Sequence, residues 1–281
     1  MKIITSIKEM HQASMNLRSR NNSIGFVPTM GALHKGHVHL IERARSNNTV
    51  ILSIFVNPKQ FAPGEDYNRY PRYIEKDKVI ATDSGVDILF LPSTDEIYPE
   101  GYKTFVNVEG ITDLLCGRFR PGHFKGVATV VLKLFNIVMP HRAYFGEKDY
   151  QQMLVIKSMV RDLNLDIEIF GIPIVRDDDG LAMSSRNVYL GREERVSATS
   201  LNRALKVSRE MVKSGEMNAQ KIISEMERII KKGDGIEIDY ISLCNPETLE
   251  DIKIVDTRVL VAMAVRIGGK RLIDNCIVEV K

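Results

Sequence analysis

The chain has 281 residues, 44% of them apolar and 27% charged. At about 100–200 residues per domain this length favours two domains, and a chain of this size buries about three-quarters of its unfolded surface without a disulfide or metal staple. With 39 Lys and Arg against 36 Asp and Glu, the net charge of +3 argues against a dedicated polyanion binder while leaving room for a local basic pocket around phosphate. Cys116, Cys244 and Cys276 stand far apart with no CxxC pair. Neither a disulfide framework nor a thiolate zinc site is expected, and the pattern suits a reducing cytoplasm. The N-terminus develops no apolar h-region, so no signal peptide is expected. The greasiest stretch, 127–139, is interrupted by Lys133 and Asn136 and is too short and polar to span a bilayer.

From residue 23 to about 175, short β-branched runs alternate with helical patterns. Residues 24–27 read as a strand, followed by a helix over about 36–46 and a continuous apolar run, TVILSIFV, from Thr49 to Val56. A polar loop rich in Pro, Gly and charge occupies 57–72. Its Pro63-Gly64-Glu65-Asp66 run disfavours regular structure, and the loop, joining a strand to the next helix, is expected to cover the site. A helical segment then leads to a strand at 86–91. The helix at 127–139 precedes a strand at 143–146, and another helix leads to a strand at 167–170 that continues toward 174–175. Runs apolar throughout are what a parallel sheet covered on both faces requires. The alternation predicts an α/β, Rossmann-like doubly wound parallel sheet over 1–175.

The charged cluster Arg176-Asp177-Asp178-Asp179-Gly180 marks the expected boundary. Beyond it, helices over about 192–214 and 218–232 end at Gly215 and Gly233. Strands lie near 236–243, 259–267 and 270–280, the last two flanking the hairpin signal Gly268-Gly269. Residues 176–281 therefore read as a small α+β domain.

No GxxxxGK[ST], GxGxxG after a strand, or HExxH occurs. The first of these strands runs instead into Pro28-Thr29-Met30-Gly31-Ala32-Leu33-His34-Lys35-Gly36-His37. Its two histidines, three apart at a helix start, share one face beside free backbone N–H groups that favour anionic oxygen. Gly36 lets a flat group such as a nucleobase approach the backbone. The pair alone is equally what two surface histidines on an amphipathic helix look like. Its place, where a strand hands over to its helix, is where α/β sheets bind ligands.

His34-Lys35-Gly36-His37 resembles the HxGH signature of the nucleotidylyltransferase and class I synthetase superfamily. Four further stretches narrow the resemblance: FVNPKQF at 55–61, RPGHFKGV at 120–127, GEKDYQQ at 146–152 and MSSRN at 183–187. In order and spacing they are similar to the pantothenate synthetase (pantoate–β-alanine ligase) family, over about residues 3–280. The resemblance implies a two-step ligation. ATP and (R)-pantoate form pantoyl adenylate and pyrophosphate; β-alanine then displaces AMP.

It also implies ATP contacts from Met30, Gly31, Ala32, Leu33, His34, Lys35, Gly36 and His37, from Gly146, Glu147, Lys148 and Asp149, from Val175, and from Met183, Ser184, Ser185 and Arg186. His37, His34 and Lys148 would be catalytic, with His37 as proton donor or charge stabiliser. Gln60 and Gln152 would bind pantoate, and Gln60 also β-alanine, with Asn57 assisting. The 183–186 segment would act as a mobile loop like the KMSKS loop, without that motif's first lysine. Mg²⁺ is implied with ligands unassigned, Asp77 being one candidate nearby. A homodimer through the N-terminal domain is implied, with no nucleic-acid or membrane partner. By themselves, Lys148 reads equally as a solvated lysine, each glutamine as an inert surface amide and Val175 as plain core. The basic 118–125 stretch could guide anions or only support a dimer. An alternative is another HxGH nucleotidylyltransferase acting on a small phosphorylated acceptor. It would share the histidines but has no need of Gln60 and Gln152.

Overall fold

The computed structural model describes residues 1–46 and 48–280. Contacts divide the chain into two units, Met1–Glu109 with Arg120–Pro173, and Gly110–Phe119 with Ile174–Lys281. Ten residues that are part of the first domain in sequence order thus pack with the second.

In the first unit the elements run β1 (Lys2–Ile4), α1 (Ile7–Ser19), β2 (Ile24–Thr29), α2 (Lys35–Arg45), β3 (Thr49–Ile54), α3 (Ile74–Asp83), β4 (Ile88–Phe90), α4 (Thr94–Ile97), α5 (His123–Val138), β5 (Arg142–Gly146), α6 (Tyr150–Asp162) and β6 (Glu168–Ile172). Among the described residues, six strands form a sheet in the order β1-β4-β3-β2-β5-β6, every pair parallel. The strands are short apolar runs because both faces are covered. Val27, Val50, Leu52, Leu89 and Tyr144 face Leu40, Ile41 and Ala44 of α2 and Ala81 of α3. On the other face Phe135 of α5 meets Phe26 and Phe145 edge-on, at centroid separations of 6.3 and 6.4 Å.

The strand order reverses at β2. The chain leaves β2 through α2 to β3 on one side, whereas β5 joins β2 on the other. Loops leaving the carboxyl ends of β2 and β5 therefore diverge and open a crevice, the place where such sheets take ligands.

β1 and α1 lie ahead of the elements expected from sequence. Ser6 caps α1 by accepting from Glu9 N–H, and Met10 is fully buried. The long helix starts at His123, four residues before the expected start. Val175 lies beyond β6, which ends at Ile172, rather than within a strand. The 57–72 loop contains two single-turn 3₁₀ segments, Pro58–Gln60 and Asp66–Arg69.

In the second unit, α7 (Arg192–Ala198), α8 (Ser200–Lys213) and α9 (Ala219–Ile230) accompany an antiparallel sheet of β7 (Ile236–Cys244), β8 (Arg258–Ile267) and β9 (Lys270–Glu279). The helix expected over 192–214 is two helices that meet at Thr199. Leu201, Ala204, Leu205 and Val212 of α8, with Ile222, Met226 and Ile230 of α9, recur at helical spacing and pack on alternate residues of β8, Val259, Val261, Met263 and Val265. Gly268 and Gly269, at φ +53° and +77°, make the hairpin turn, a pair of left-handed positions that favours glycine. The 110–119 segment docks through Cys116, whose Sγ lies 3.2 Å from Tyr240 Oη, and through Phe119, stacked obliquely on Tyr240 at 5.8 Å.

Candidate active site

The turn after β2 carries the histidine pair. Gly31 and Ala32 both adopt positive φ, +83° and +51°. A Cβ on Gly31 would come within 2.9 Å of Ile54 Cγ2, so the residue is small as well as left-handed. What holds this turn is Asp77 of α3, 1% exposed. Its Oδ2 accepts from Ala32 N–H at 2.9 Å and its Oδ1 from Leu33 N–H at 2.7 Å. Burial raises the Asp77 carboxyl above its usual range, and the two backbone donors partly offset that rise. Asp77, expected near a metal, instead has both oxygens committed to the backbone.

His34 is the N-cap of α2. Its Nδ1 accepts from Gly36 N–H at 3.1 Å, while Nδ1 of His37 accepts from His34 N–H at 3.3 Å. Two of the orphan donors at the helix start are thereby satisfied reciprocally, with imidazoles in place of the usual hydroxyl and carboxylate. The rings stand 4.1 Å apart at 41°. With Nδ1 accepting, the proton of each neutral ring resides on Nε2, a donor not used by the cap. Burial pushes His37 well below the usual imidazole range, and the His34 and Lys148 charges push it the same way. His37 is therefore a neutral Nε2–H donor near pH 7, with a cation close by.

That cation, Lys148, belongs to the Glu147–Asp149 turn at the carboxyl end of β5. Because β5 pairs with β2, this turn lies close enough to the β2 turn for the Lys148 charge to act on His37. Gln152 is half-buried in the first turn of α6, which comes directly after; its neighbour Gln151 is buried.

The carboxyl end of β3 supplies a buried amide pair. Asn57 Nδ2 donates to Gln60 Oε1 at 3.1 Å and to Gly126 C=O at 3.1 Å, and Tyr98 Oη donates to Asn57 Oδ1 at 2.8 Å. Gln60, 8% exposed, has its Nε2 on Met30 Sδ at 3.0 Å. A thioether is a weak acceptor, so this donor is held in place by a partner weaker than any oxygen acceptor. Asn57 thus fixes the Gln60 amide by a hydrogen bond, and Tyr98 in turn orients Asn57.

The 118–125 stretch is not simply a solvated basic patch. Arg120 grips Glu65 with Nε and Nη2, both at 2.7 Å, and His123 reaches Gln60 C=O at 2.8 Å. Sequence alone does not single out Tyr98, Arg120 or His123 as candidates. The one available signal is the RPGHFKGV motif, which contains Arg120 and His123.

Val175 and the 183–186 segment lie in the second unit. Met183 N–H donates to Val175 C=O at 3.0 Å, so these residues are side by side there. Ser184 accepts from Arg186 N–H at 3.3 Å and opens a single 3₁₀ turn, Ser185–Tyr189. The strand-like bridge Arg176–Ala182 before it is anchored by Arg176 on Asp274 at 2.7 and 2.9 Å.

The pantoate–β-alanine ligase family model matches residues 2–277. The pantothenate synthetase of Caldicellulosiruptor bescii is 55% identical, with all of both chains covered, and that of Acetivibrio thermocellus is 53% identical over the whole of both. Among solved structures, pantothenate synthetase from Thermus thermophilus superposes with a TM-score of 0.93 at 47% identity, covering 98% of this chain and 99% of that one. Pantoate–β-alanine ligase from Francisella tularensis, complexed with an ATP species and β-alanine, gives 0.81 at 37% identity, covering 98% and 97%. With a histidine-capped helix at the switch point and likeness over its whole length, this chain belongs to the pantoate–β-alanine ligase family.

Proposed function

We propose that the chain joins (R)-pantoate to β-alanine with ATP, through a pantoyl adenylate. A pantoate carboxylate oxygen forms a bond to the α-phosphorus while the bond from that phosphorus to pyrophosphate breaks. The β-alanine nitrogen then bonds to the acyl carbon, the acyl–oxygen bond breaks, AMP leaves with the electron pair, and the amine proton passes to water. The carboxylate is ionised near pH 7, so the first step needs no general base. The remaining task is alignment of the reactants and stabilisation of charge on phosphate oxygens.

The observation that carries this reading is the reciprocal His34–His37 cap, which leaves the Nε2–H donors outside it, with Lys148 alongside. His37 and His34 donate to phosphate oxygens, and Lys148 supplies the positive charge. Met30–Gly36, Gly146, Glu147 and Asp149 complete the nucleotide contacts in the first unit. By the family pattern Val175 and Met183–Arg186 also contact ATP, Arg186 on the triphosphate. Gln60 and Gln152 hold pantoate, since an amide offers both donor and acceptor to a substrate with two hydroxyls and a carboxylate. Gln60 also takes β-alanine. A nucleotidylyltransferase reading leaves the buried Asn57–Gln60 pair without a task.

Among the described residues, no group of three His, Cys, Asp or Glu is placed to hold a metal ion. In this reading Mg²⁺ enters as part of the MgATP substrate, carried by phosphate oxygens and water. A cytoplasmic homodimer built on the first unit completes the proposal. None of the three cysteines forms a disulfide, which suits a reducing compartment, and sedimentation velocity tests the dimer.

ATP–pyrophosphate exchange with MgATP, with and without (R)-pantoate and in the absence of β-alanine, tests the function. Exchange only with pantoate is expected, followed by release of AMP and pantothenate when β-alanine is added. Exchange indifferent to pantoate would overturn the reading.

A further inference from the structure

The arch formed by Glu65, Arg120 and His123 has no part in the chemistry above, yet every polar atom of its histidine is used. Arg120 Nη1 donates to His123 Nε2 at 3.0 Å, so the His123 proton resides on Nδ1, which donates to Gln60 C=O at 2.8 Å. Arg120 Nη2 reaches the same carbonyl at 3.3 Å. The guanidinium is fixed in turn by Glu65, whose Oε2 also accepts from Ala62 N–H at 3.2 Å. Burial opposes ionisation of Glu65, but the Arg120 hydrogen bond and charge outweigh it and hold the carboxyl below its usual range.

These contacts converge on a short turn capped at its start by Asn57, whose Oδ1 accepts from Lys59 N–H at 3.3 Å. Gln60 N–H makes only a long 3.4 Å bond to Asn57 C=O. Beneath the turn, the first turn of α5 approaches so closely that a Cβ on Gly126 would lie 2.7 Å from Gln60 Cα. The Gln60 side chain is thus oriented from its Oε1 end by Asn57, and its backbone is set by His123 and Arg120. The tautomer persists across the working pH range: burial, and then the Arg120 charge, push His123 down to about 3 despite Glu65 and Asp149 nearby, so Nε2 stays an acceptor and the single ring proton stays on Nδ1.

We propose that His123 is a positioning residue for pantoate, held by the Arg120–Glu65 ion pair so that its Nδ1–H fixes the Gln60 carbonyl and, through it, the amide that meets the substrate. The same ion pair ties Glu65, within the 61–69 segment, to the residues just ahead of α5. This rests on the reading of Gln60 as a pantoate ligand.

Two variants of the full chain separate the atoms involved. His123→Asn keeps an amide N–H near the Nδ1 position and gives up the Nε2 acceptor; His123→Gln reaches the Nε2 position and gives up the Nδ1 donor. Each is compared with wild type by circular dichroism, thermal melting and steady-state kinetics. We expect His123→Gln to raise the pantoate KM by about tenfold or more with the ATP KM nearly unchanged, and His123→Asn to stay near wild type. Equal losses in the two variants, or parallel shifts in pantoate and ATP KM, would overturn the assignment. Glu65→Gln provides a readout without substrate: proteolysis within 61–69 of the free protein should quicken, and an unchanged rate would remove the ion pair from the proposal. Pantoate-dependent exchange by the wild type is scored first. Its absence refutes the reading of Gln60 and this proposal together, whereas its presence with indifferent variants refutes only the proposal.

Discussion

In the proposed reaction His37 serves the fold and the chemistry through different atoms. Its Nδ1 completes the cap of α2, and the proposal gives phosphate to its Nε2–H. His37→Ala should lower pantoate-dependent exchange by about 10²–10³, the usual effect of losing one preorganised donor. The same change should cost stability by only about 1 kcal/mol, as for loss of a cap. Exchange kinetics alongside a urea titration check both, and an unfolded variant would count against the separation of roles. Asp77 acts one step further back. Both its oxygens accept from consecutive backbone donors, and Asn can offer only one oxygen to them. Asp77→Asn should therefore destabilise the protein by about 1–3 kcal/mol and raise the ATP KM more than the pantoate KM. Denaturation and kinetics measure the two effects. The histidine pair is readable from its spacing at a strand–helix junction. The Asp77 clamp is not, because 45 residues separate Asp77 from Ala32 and nothing local marks the pairing.

At the scale of elements, α5 matters less as a span of apolar residues than as a platform under the 58–60 turn. Gly126 makes that approach possible, since any Cβ there would run into the Lys59 carbonyl and Gln60 Cα. Gly126→Ala should cost about 1–3 kcal/mol through forced displacement. It should raise the pantoate KM as well, because the displaced residue is Gln60. Chemical denaturation and pantoate titration read these out, and a pantoate KM equal to wild type would show that the turn is indifferent to the helix. The sequence pattern places this helix from its apolar run but begins it at 127, since His123 and Lys125 look like solvent-facing residues there. In the structure His123 is turned inward by Arg120 and Gln60. α1 escapes the pattern for the opposite reason. Its core contacts rest on few residues, Met10 and Ser14, although Ser6 followed by Glu9 matches a helix-start pattern. β1 is three residues long, too short for periodicity to register.

At the scale of the whole molecule, buried neutral histidines link stability to pH. His123 is held at about 3, and His37 and His141 are also lowered, each chiefly by burial. Above pH 6.5 folded and unfolded chains alike carry neutral imidazoles, and the stability is fully present. As pH falls below that value the unfolded chain takes up protons that the folded chain does not, so stability is lost progressively toward pH 3. For His123 alone the loss is on the order of 1 kcal/mol per pH unit. Thermal melts between pH 7 and 4.5 should show a falling Tm, with a shallower fall in His123→Asn. An identical slope in that variant would exclude His123 as a source. The division of the chain into units also belongs to this scale. Residues 110–119 belong to the second unit, in which Cys116 and Phe119 find Tyr240, and the chain returns to the first at Arg120.

What the amino-acid sequence determined by itself was local. Apolar runs specified parallel strands, and helical spacing specified the helices of the second unit, apart from the break between α7 and α8 at Thr199. Gly268-Gly269 specified a hairpin, and HKGH after a strand marked the strand–helix junction that carries the histidine pair. These are properties of neighbouring residues, set by backbone geometry and by the period of burial. Tertiary structure alone decided the reversal of strand order at β2, which puts Lys148 beside His37, and the return of α5 onto the 58–60 turn. It also decided which polar side chains face inward. Asp77, Tyr98, Arg120 and His123 look like surface residues in sequence because polar groups ordinarily stay in water. They go inside here because partners far along the chain supply the hydrogen bonds that water would otherwise provide.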